Sequence, residues 1–127
     1  MTDDKRYAIS VTPTSTYLEA RSDPGKGQFV FAYTITVTNT GTVAAQLVSR
    51  HWFITDADHQ VQEVRGAGVV GRQPVLKPGE SFEYTSGASI ATAVGTMHGS
   101  YRMVAEDGTE FDAAIPLFTL SIPRTLH

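Results

Sequence analysis

The run Arg65-Gly66-Ala67-Gly68-Val69-Val70-Gly71-Arg72 satisfies the spacing G-x-G-x-x-G. In dinucleotide-binding folds that spacing brings a backbone close to a pyrophosphate at a helix N-terminus, so nucleotide or pyrophosphate binding at Gly66–Gly71 is one chemistry on offer. The geometry needs a buried parallel strand before the loop, a helix after it, and an acidic residue about 20 positions on to hold a ribose. Val61–Arg65 supplies a strand, and Glu80 and Glu83 lie in the right range, but Pro74, Pro78 and Gly79 come too soon for a helix after Gly71. The other reading is a loop or irregular edge strand whose glycines supply positive φ or close backbone approach. Arg65 and Arg72 flank it and can attract an anion.

Metal and acid–base chemistry would have to come from His51, His59, His98 and His127 with Asp56 and Asp58. Asp56, Asp58 and His59 sit together at an expected hairpin tip and are the candidates for direct divalent-metal binding. The same residue types favour turn hydrogen bonding, and the further oxygen ligands of a calcium loop are missing. Four dispersed histidines without a cysteine make a poor trap for a soft metal, so no metal and no cofactor are expected. Ser86, Ser89 and Ser100 lack the strand–elbow–helix surround of a G-x-S-x-G nucleophile. The carboxylate pairs Asp3-Asp4 and Glu106-Asp107 are terminal or turn-like, where solvated charge is the default. No catalytic residues emerge, and an enzyme is not expected.

The apolar period decides which elements hold these residues. Phe29, Phe31, Tyr33, Ile35 and Val37 alternate with smaller, increasingly Thr-rich positions up to the turn signal Asn39-Thr40-Gly41, which predicts a strand with one buried face. Further strands are expected at Tyr7–Val11, at Leu47–Thr55 around Trp52, and at Val61–Arg65 as the return arm of that hairpin. Others are expected at Ser81–Thr85 after Lys77-Pro78-Gly79, at Met97–Met103, and along Phe111, Ala113, Ile115 and Leu117. Pro116 implies an edge or a bulge there, since proline cannot donate to a ladder. Trp52 is the natural core centre, with Ile54 and Val48 on its side of the pleat. Arg50 shares that side, which calls either for a bulge at Arg50-His51 or for a side chain reaching water at a sheet edge. Gly68-Val69-Val70-Gly71 and Ala88–Met97 read as apolar segments in loop contexts, partly packed under the sandwich ends and partly available for partner contacts.

With 11 Gly and 6 Pro punctuating the chain and no helical stripe, about seven short strands predict an all-β fold, a two-sheet antiparallel β-sandwich. The 127 residues are expected to form one domain, 1–127, with loose ends at about 1–5 and 123–127. A formal charge of −3 gives no basic field for nucleic acid. The start, Met1 to Tyr7, lacks the apolar stretch of a signal peptide, and no run has the length and hydrophobicity of a membrane span. Together with the absence of cysteine, this leads to an expected cytoplasmic setting, with no membrane partner.

Several motifs, in order, resemble the ApaG (CorD) family from about Tyr7 to Ile122. They are Ser49-Arg50-His51-Trp52, Gly66-x-Gly68-Val69-Val70-Gly71-x-Gln73-Pro74, Leu76-x-Pro78-Gly79, Tyr84-x-Ser86-Gly87, Gly95-x-Met97-x-Gly99-x-Tyr101-x-Met103 and Ile115-Pro116-x-Phe118-x-Leu120. His59 stands where that family's hairpin usually has Gly, Ala93 where Pro is common, and His98 where an acidic residue is common. The resemblance implies a fibronectin type III-like, or more loosely immunoglobulin-like, β-sandwich in a bacterial cytosolic protein, associated with cobalt resistance and magnesium efflux without an established reaction. Related domains are appended to eukaryotic F-box proteins and to a DNA-polymerase-delta-interacting protein, which implies use as a protein-binding module. The expected binding region is therefore Arg50, His51, Arg65, Gly66, Gly68, Val69, Val70, Gly71 and Arg72. The partner is expected to be an unidentified protein, and the chain a monomer or a homodimer joined at an edge strand.

Overall fold

A computed structural model describes residues 4–123, and eight strands account for most of them. They are β1 (Ile9–Tyr17), β2 (Phe29–Asn39), β3 (Ala45–Asp56), β4 (Val61–Ala67), β5 (Val75–Leu76), β6 (Ser81–Ile90), β7 (Val94–Ala105) and β8 (Glu110–Ser121). Two single 3-10 turns, Glu19–Arg21 and Pro24–Lys26, are the remaining elements. One sheet has the order β1-β2-β6 and the other β4-β3-β7-β8, with the two-residue β5 also on β3. Every named pair is antiparallel. This is the expected sandwich. The expected loose ends fall mostly outside the described residues, as does His127.

The period-two strand behaves as its sequence dictates. Phe31, Tyr33, Ile35 and Val37 are buried between the sheets, while Thr34 and Thr38 face outward and bond Thr85 and Ser81 of β6, each at 2.7 Å. Trp52 sits at the core centre, edge-on to the rings of Tyr33, Tyr101 and Phe118 at 5.3, 6.4 and 6.0 Å. The hydroxyls of Tyr84 on β6 and Tyr101 on β7 hydrogen-bond across the sandwich. Burial pushes both phenols above their ordinary pKa, so the pair stays neutral.

Two bulges change which residues face the core. On β3 the pairing with β7 slips between Leu47 and Ser49, leaving Val48 as the extra residue. Leu47 and Trp52, five positions apart, therefore both point inward, and Leu47 takes the core place expected for Val48. The slip lies two residues before the position expected from Arg50. On β8 the pairing slips between the partners of Met97 and Gly99, at Pro116-Leu117. Pro116 thus sits both on an edge strand and at a bulge, as expected. Beyond it Leu117 turns outward, 63% exposed, and Phe118 and Leu120 continue the inner face in its stead.

Three further expectations are corrected. The return arm β4 runs to Ala67, beyond Arg65, because Gly66 and Ala67 keep their register with Arg50 and Ser49. Ala88–Met97 is not a loop: β6 reaches Ile90 and β7 begins at Val94, and Ala88, Ile90 and Met97 lie in the core. Val69 is also a core residue, with no exposed surface.

Candidate functional site

The glycine motif begins inside a strand and ends in a hairpin. Val69 donates to the Arg72 carbonyl at 2.8 Å and Arg72 donates back to Val69 at 2.9 Å, closing a two-residue turn over Val70 and Gly71. Both turn residues have positive φ, 43° at Val70 and 78° at Gly71, which is the I′ type that suits a right-twisted hairpin. Gly68 precedes the turn at φ 60°, and a Cβ there would stand 2.2 Å from the Arg72 carbonyl oxygen. Beyond Gly71 the chain leads to β5 without forming a helix. The motif thus lacks the helix N-terminus that pyrophosphate binding requires. Its glycines let a hairpin close on itself.

Arg50 holds this hairpin from beneath. Its side chain keeps the Trp52 side of β3 and lies across Gly66, its register partner, where a Cβ would come within 2.7 Å of the guanidinium. Nη1 donates to the carbonyls of Ala67 and Gly68 at 3.0 and 2.9 Å. Gln73 completes the anchor, donating through Nε2 to the Val48 carbonyl at 2.8 Å, while the Gly68 amide donates to the same oxygen at 2.8 Å. Arg50 is paired on both sides, with Gly66 and Tyr101, so neither expectation holds: the slip is at Val48, and the half-buried guanidinium is tied by carbonyls instead of reaching water at a sheet edge. On top of the anchored hairpin Val70 is 54% exposed.

Beside the hairpin, the outer face of the five-stranded sheet has a depression of about 400 Å³. Arg50 and Gly66 are at its margin, and Ser49, His51, Arg65, Ser100, Arg102 and Asp112 line the rest. Register explains the gathering: His51 stands opposite both Arg65 and Ser100, and Arg102 opposite both Ser49 and Asp112. His51 Nε2 lies 3.1 Å from Glu63 Oε1 and 3.3 Å from Arg65 Nε. When protonated it donates to Glu63; with Nε2 bare it accepts from Arg65. Together with Arg65 Nη2 at 3.2 Å, these contacts hold the Glu63 carboxyl below its ordinary pKa, the histidine hydrogen bond being the largest cause. Arg102 Nε lies 2.9 Å from Asp112 Oδ1.

Ser100 faces His51 in register, yet no hydrogen bond joins them among the described residues, and the imidazole is engaged by Glu63 and Arg65. The arrangement offers a charged, hydrogen-bonding recess rather than an activated nucleophile.

The expected binding residues thus divide. Arg50, His51, Arg65 and Gly66 come together at the recess. Gly68, Val70, Gly71 and Arg72 make the neighbouring hairpin, where Gly71 and Arg72 also line a second, more open recess with Pro74, Val75 and Phe82. Val69 leaves the set because it is core. Ser49, Ser100, Arg102 and Asp112 were not anticipated; only the cross-strand register brings them in. The metal candidates do not converge. Asp56 Oδ1 accepts from the amides of Asp58 and Gln60, both at 2.9 Å, which makes it a turn former, and His59 takes the left-handed φ of 63°. Among the described residues no three His, Asp or Glu side chains are placed to hold a metal ion. No helix among them is long and apolar enough to cross a membrane.

The pattern of the ApaG domain matches residues 19–105. The chain is 64% identical to the Protein ApaG of Thiobacillus denitrificans and 60% identical to that of Dechloromonas aromatica, each over 127 residues and the full length of both chains. Among solved structures it is similar to the putative ApaA protein of Bordetella pertussis, with a TM-score of 0.92 and 53% identity over 97% of this chain and 100% of that one. A protein from Archaeoglobus fulgidus, at 9% identity and a TM-score of 0.51, shares the fold alone.

Proposed function

The chain belongs to the ApaG family, and from that premise we propose that it is a non-enzymatic protein-binding module whose partner-facing region is the hairpin Gly68–Arg72 with the adjoining recess around Arg50, His51 and Arg65. One observation carries the reading. Val70 is a β-branched residue held at φ 43° and left 54% exposed, at the tip of a hairpin anchored by Arg50 and Gln73. A β-branched side chain in that region is strained, and strain is retained where surrounding structure fixes it for use. A rigid apolar tip beside a polar recess has the anatomy of a binding anchor with its rim.

The association of the family with cobalt resistance and magnesium efflux then passes through a bound protein and not through ligands on this chain. The dispersed histidines and the Asp56 carboxylate, taken up by the Asp58 and Gln60 amides, support that route, and the setting it takes is the cytoplasm, with neither membrane nor nucleic acid as partner.

The test is affinity capture from the native cytosol with the full chain and with Val70→Asp combined with Arg72→Glu, folding being checked by circular dichroism. Partners are expected to be lost from the folded variant. Retention of every partner would remove the hairpin from consideration. Calorimetry with cobalt and with magnesium is expected to give no heat, and saturable binding of either ion would replace the indirect route with a direct one.

A further inference from the structure

Three of the four sheet edges carry something that discourages an added strand. β1 contains Pro13 and β8 contains Pro116 at its bulge, and proline has no N–H to give an incoming chain. β6 is overhung by Gln62, whose Nε2 donates to the Ser89 carbonyl at 3.1 Å. The edge of β4 differs. It runs seven residues with no proline and no register slip, and every residue but Gly66 is exposed.

Register identifies which of its backbone groups are free. Gly68 donates to Val48, and Asp56 donates to Gln60, both in continuation of the β3–β4 pairing. By the alternation of antiparallel ladders, Gln62, Val64 and Gly66 bond toward β3, while the N–H and C=O groups of Val61, Glu63 and Arg65 point away from the sheet.

We propose that this edge pairs antiparallel with the same edge of a second copy about a two-fold axis at Val64, joining the two five-stranded sheets into one. The charges select that register. Glu63-Val64-Arg65 places opposite signs on either side of Val64. With the axis there, Glu63 of each copy stands opposite Arg65 of the other, twice over, on the outer face. Val64 meets its own counterpart on the other face, and Val61 meets Ala67. An axis at Glu63 or at Arg65 would set like charges directly opposite each other, which is unfavourable. Edges defended against self-pairing commonly carry lysine or other charges that meet their own kind. Here the two signs come in the order that a two-fold axis makes complementary. Val61 and Val64, 58% and 37% exposed, gain apolar cover. The contact is isologous and closes at two copies. It does not rest on the hairpin reading: Val70 and Arg72 lie outside the paired segment, and although Arg65 is shared with the recess, Glu63→Arg tests the pairing without touching a residue of that reading.

Sedimentation equilibrium of the full chain over a rising concentration series is expected to show a monomer–dimer equilibrium. Hydrogen exchange at the Glu63 and Arg65 amides should slow in step with it. Glu63→Arg and Arg65→Glu each turn two facing attractions into repulsions and are expected to weaken the dimer about tenfold or more. The double variant Glu63→Arg/Arg65→Glu restores opposite charges and is expected to regain it, and the two single variants mixed should pair with each other. A chain that is monomeric throughout overturns the proposal, as does a dimer indifferent to both single changes, or one that the double variant fails to restore. The exchange measurement needs no variant: amides whose protection ignores concentration overturn it even if a substitution disturbs the fold.

Discussion

Val69 and Val70 are the same residue type, adjacent, and fully separated by the fold: one has no exposed surface and the other is 54% exposed. Nothing in the glycine spacing assigns them to opposite sides, because the I′ turn that does so depends on hydrogen bonds between Val69 and Arg72. His59 shows the same kind of constraint where the residue type held a clue. The structure places it at φ 63°, in the left-handed region that favours Gly. The turn needs a left-handed position and carries a Cβ there at some cost in strain. His59→Gly is expected to raise the unfolding free energy by about 0.5–1 kcal/mol, the relief of left-handed strain exceeding the added entropy of the unfolded chain. Urea unfolding of the two proteins would check this, and a lower midpoint for the variant would refute it.

At the level of the elements, the core strands were legible because one face of each had to be apolar, and Pro116 announced its own bulge, whereas β1 runs on through Pro13 to Tyr17 beyond its expected end at Val11, and the two-residue β5 was not anticipated. The slip at Val48 was not legible. Leu47, Val48 and Ser49 are all tolerated in a strand, and the slip appears only when β7 is laid alongside. The recess was half legible for the same reason: His51 and Arg65 were singled out within one expected hairpin, whereas Ser100, Arg102 and Asp112 arrive from β7 and β8 through register. The tie between β3 and the glycine hairpin has a measurable consequence. Gly66→Ala pushes the Arg50 guanidinium off the Ala67 and Gly68 carbonyls and is expected to cost about 1–2 kcal/mol, the worth of the charge-assisted bonds it loosens. In an Arg50→Ala background the same change should cost less than half as much. Unfolding free energies around this double-mutant cycle measure the coupling, and additive losses would mean that Gly66 serves something other than Arg50.

Across the whole molecule, the segment leading into β1 is fastened at Tyr7 to the far turn of the other sheet. The Tyr7 hydroxyl donates to Asp107, between β7 and β8, and the Tyr7 ring packs against Phe111 with centroids 5.5 Å apart. That hydroxyl, followed by the Thr109 amide, lowers the Asp107 pKa from 3.8 to about 2. A carboxylate depressed by folding stabilises the native state above its ordinary value and loses that contribution as pH falls through its folded one. The stability advantage over Tyr7→Phe is therefore expected to be fullest above pH 3.8 and to shrink toward pH 2, as read from urea midpoints across that range. A gap that stays constant with pH would mean that the tyrosine acts through packing alone.

The slip at Val48 sets the phase of everything downstream of it on β3. Ala45 and Leu47 keep one beat of the pleat, Trp52 and Ile54 the other, and a single supernumerary residue reconciles them. Removing that residue would act on the sheet as a frameshift acts on a message: either the indole or the leucine would be dealt to solvent, with no change in composition to speak of. Length is thus constrained more strictly than identity at this point.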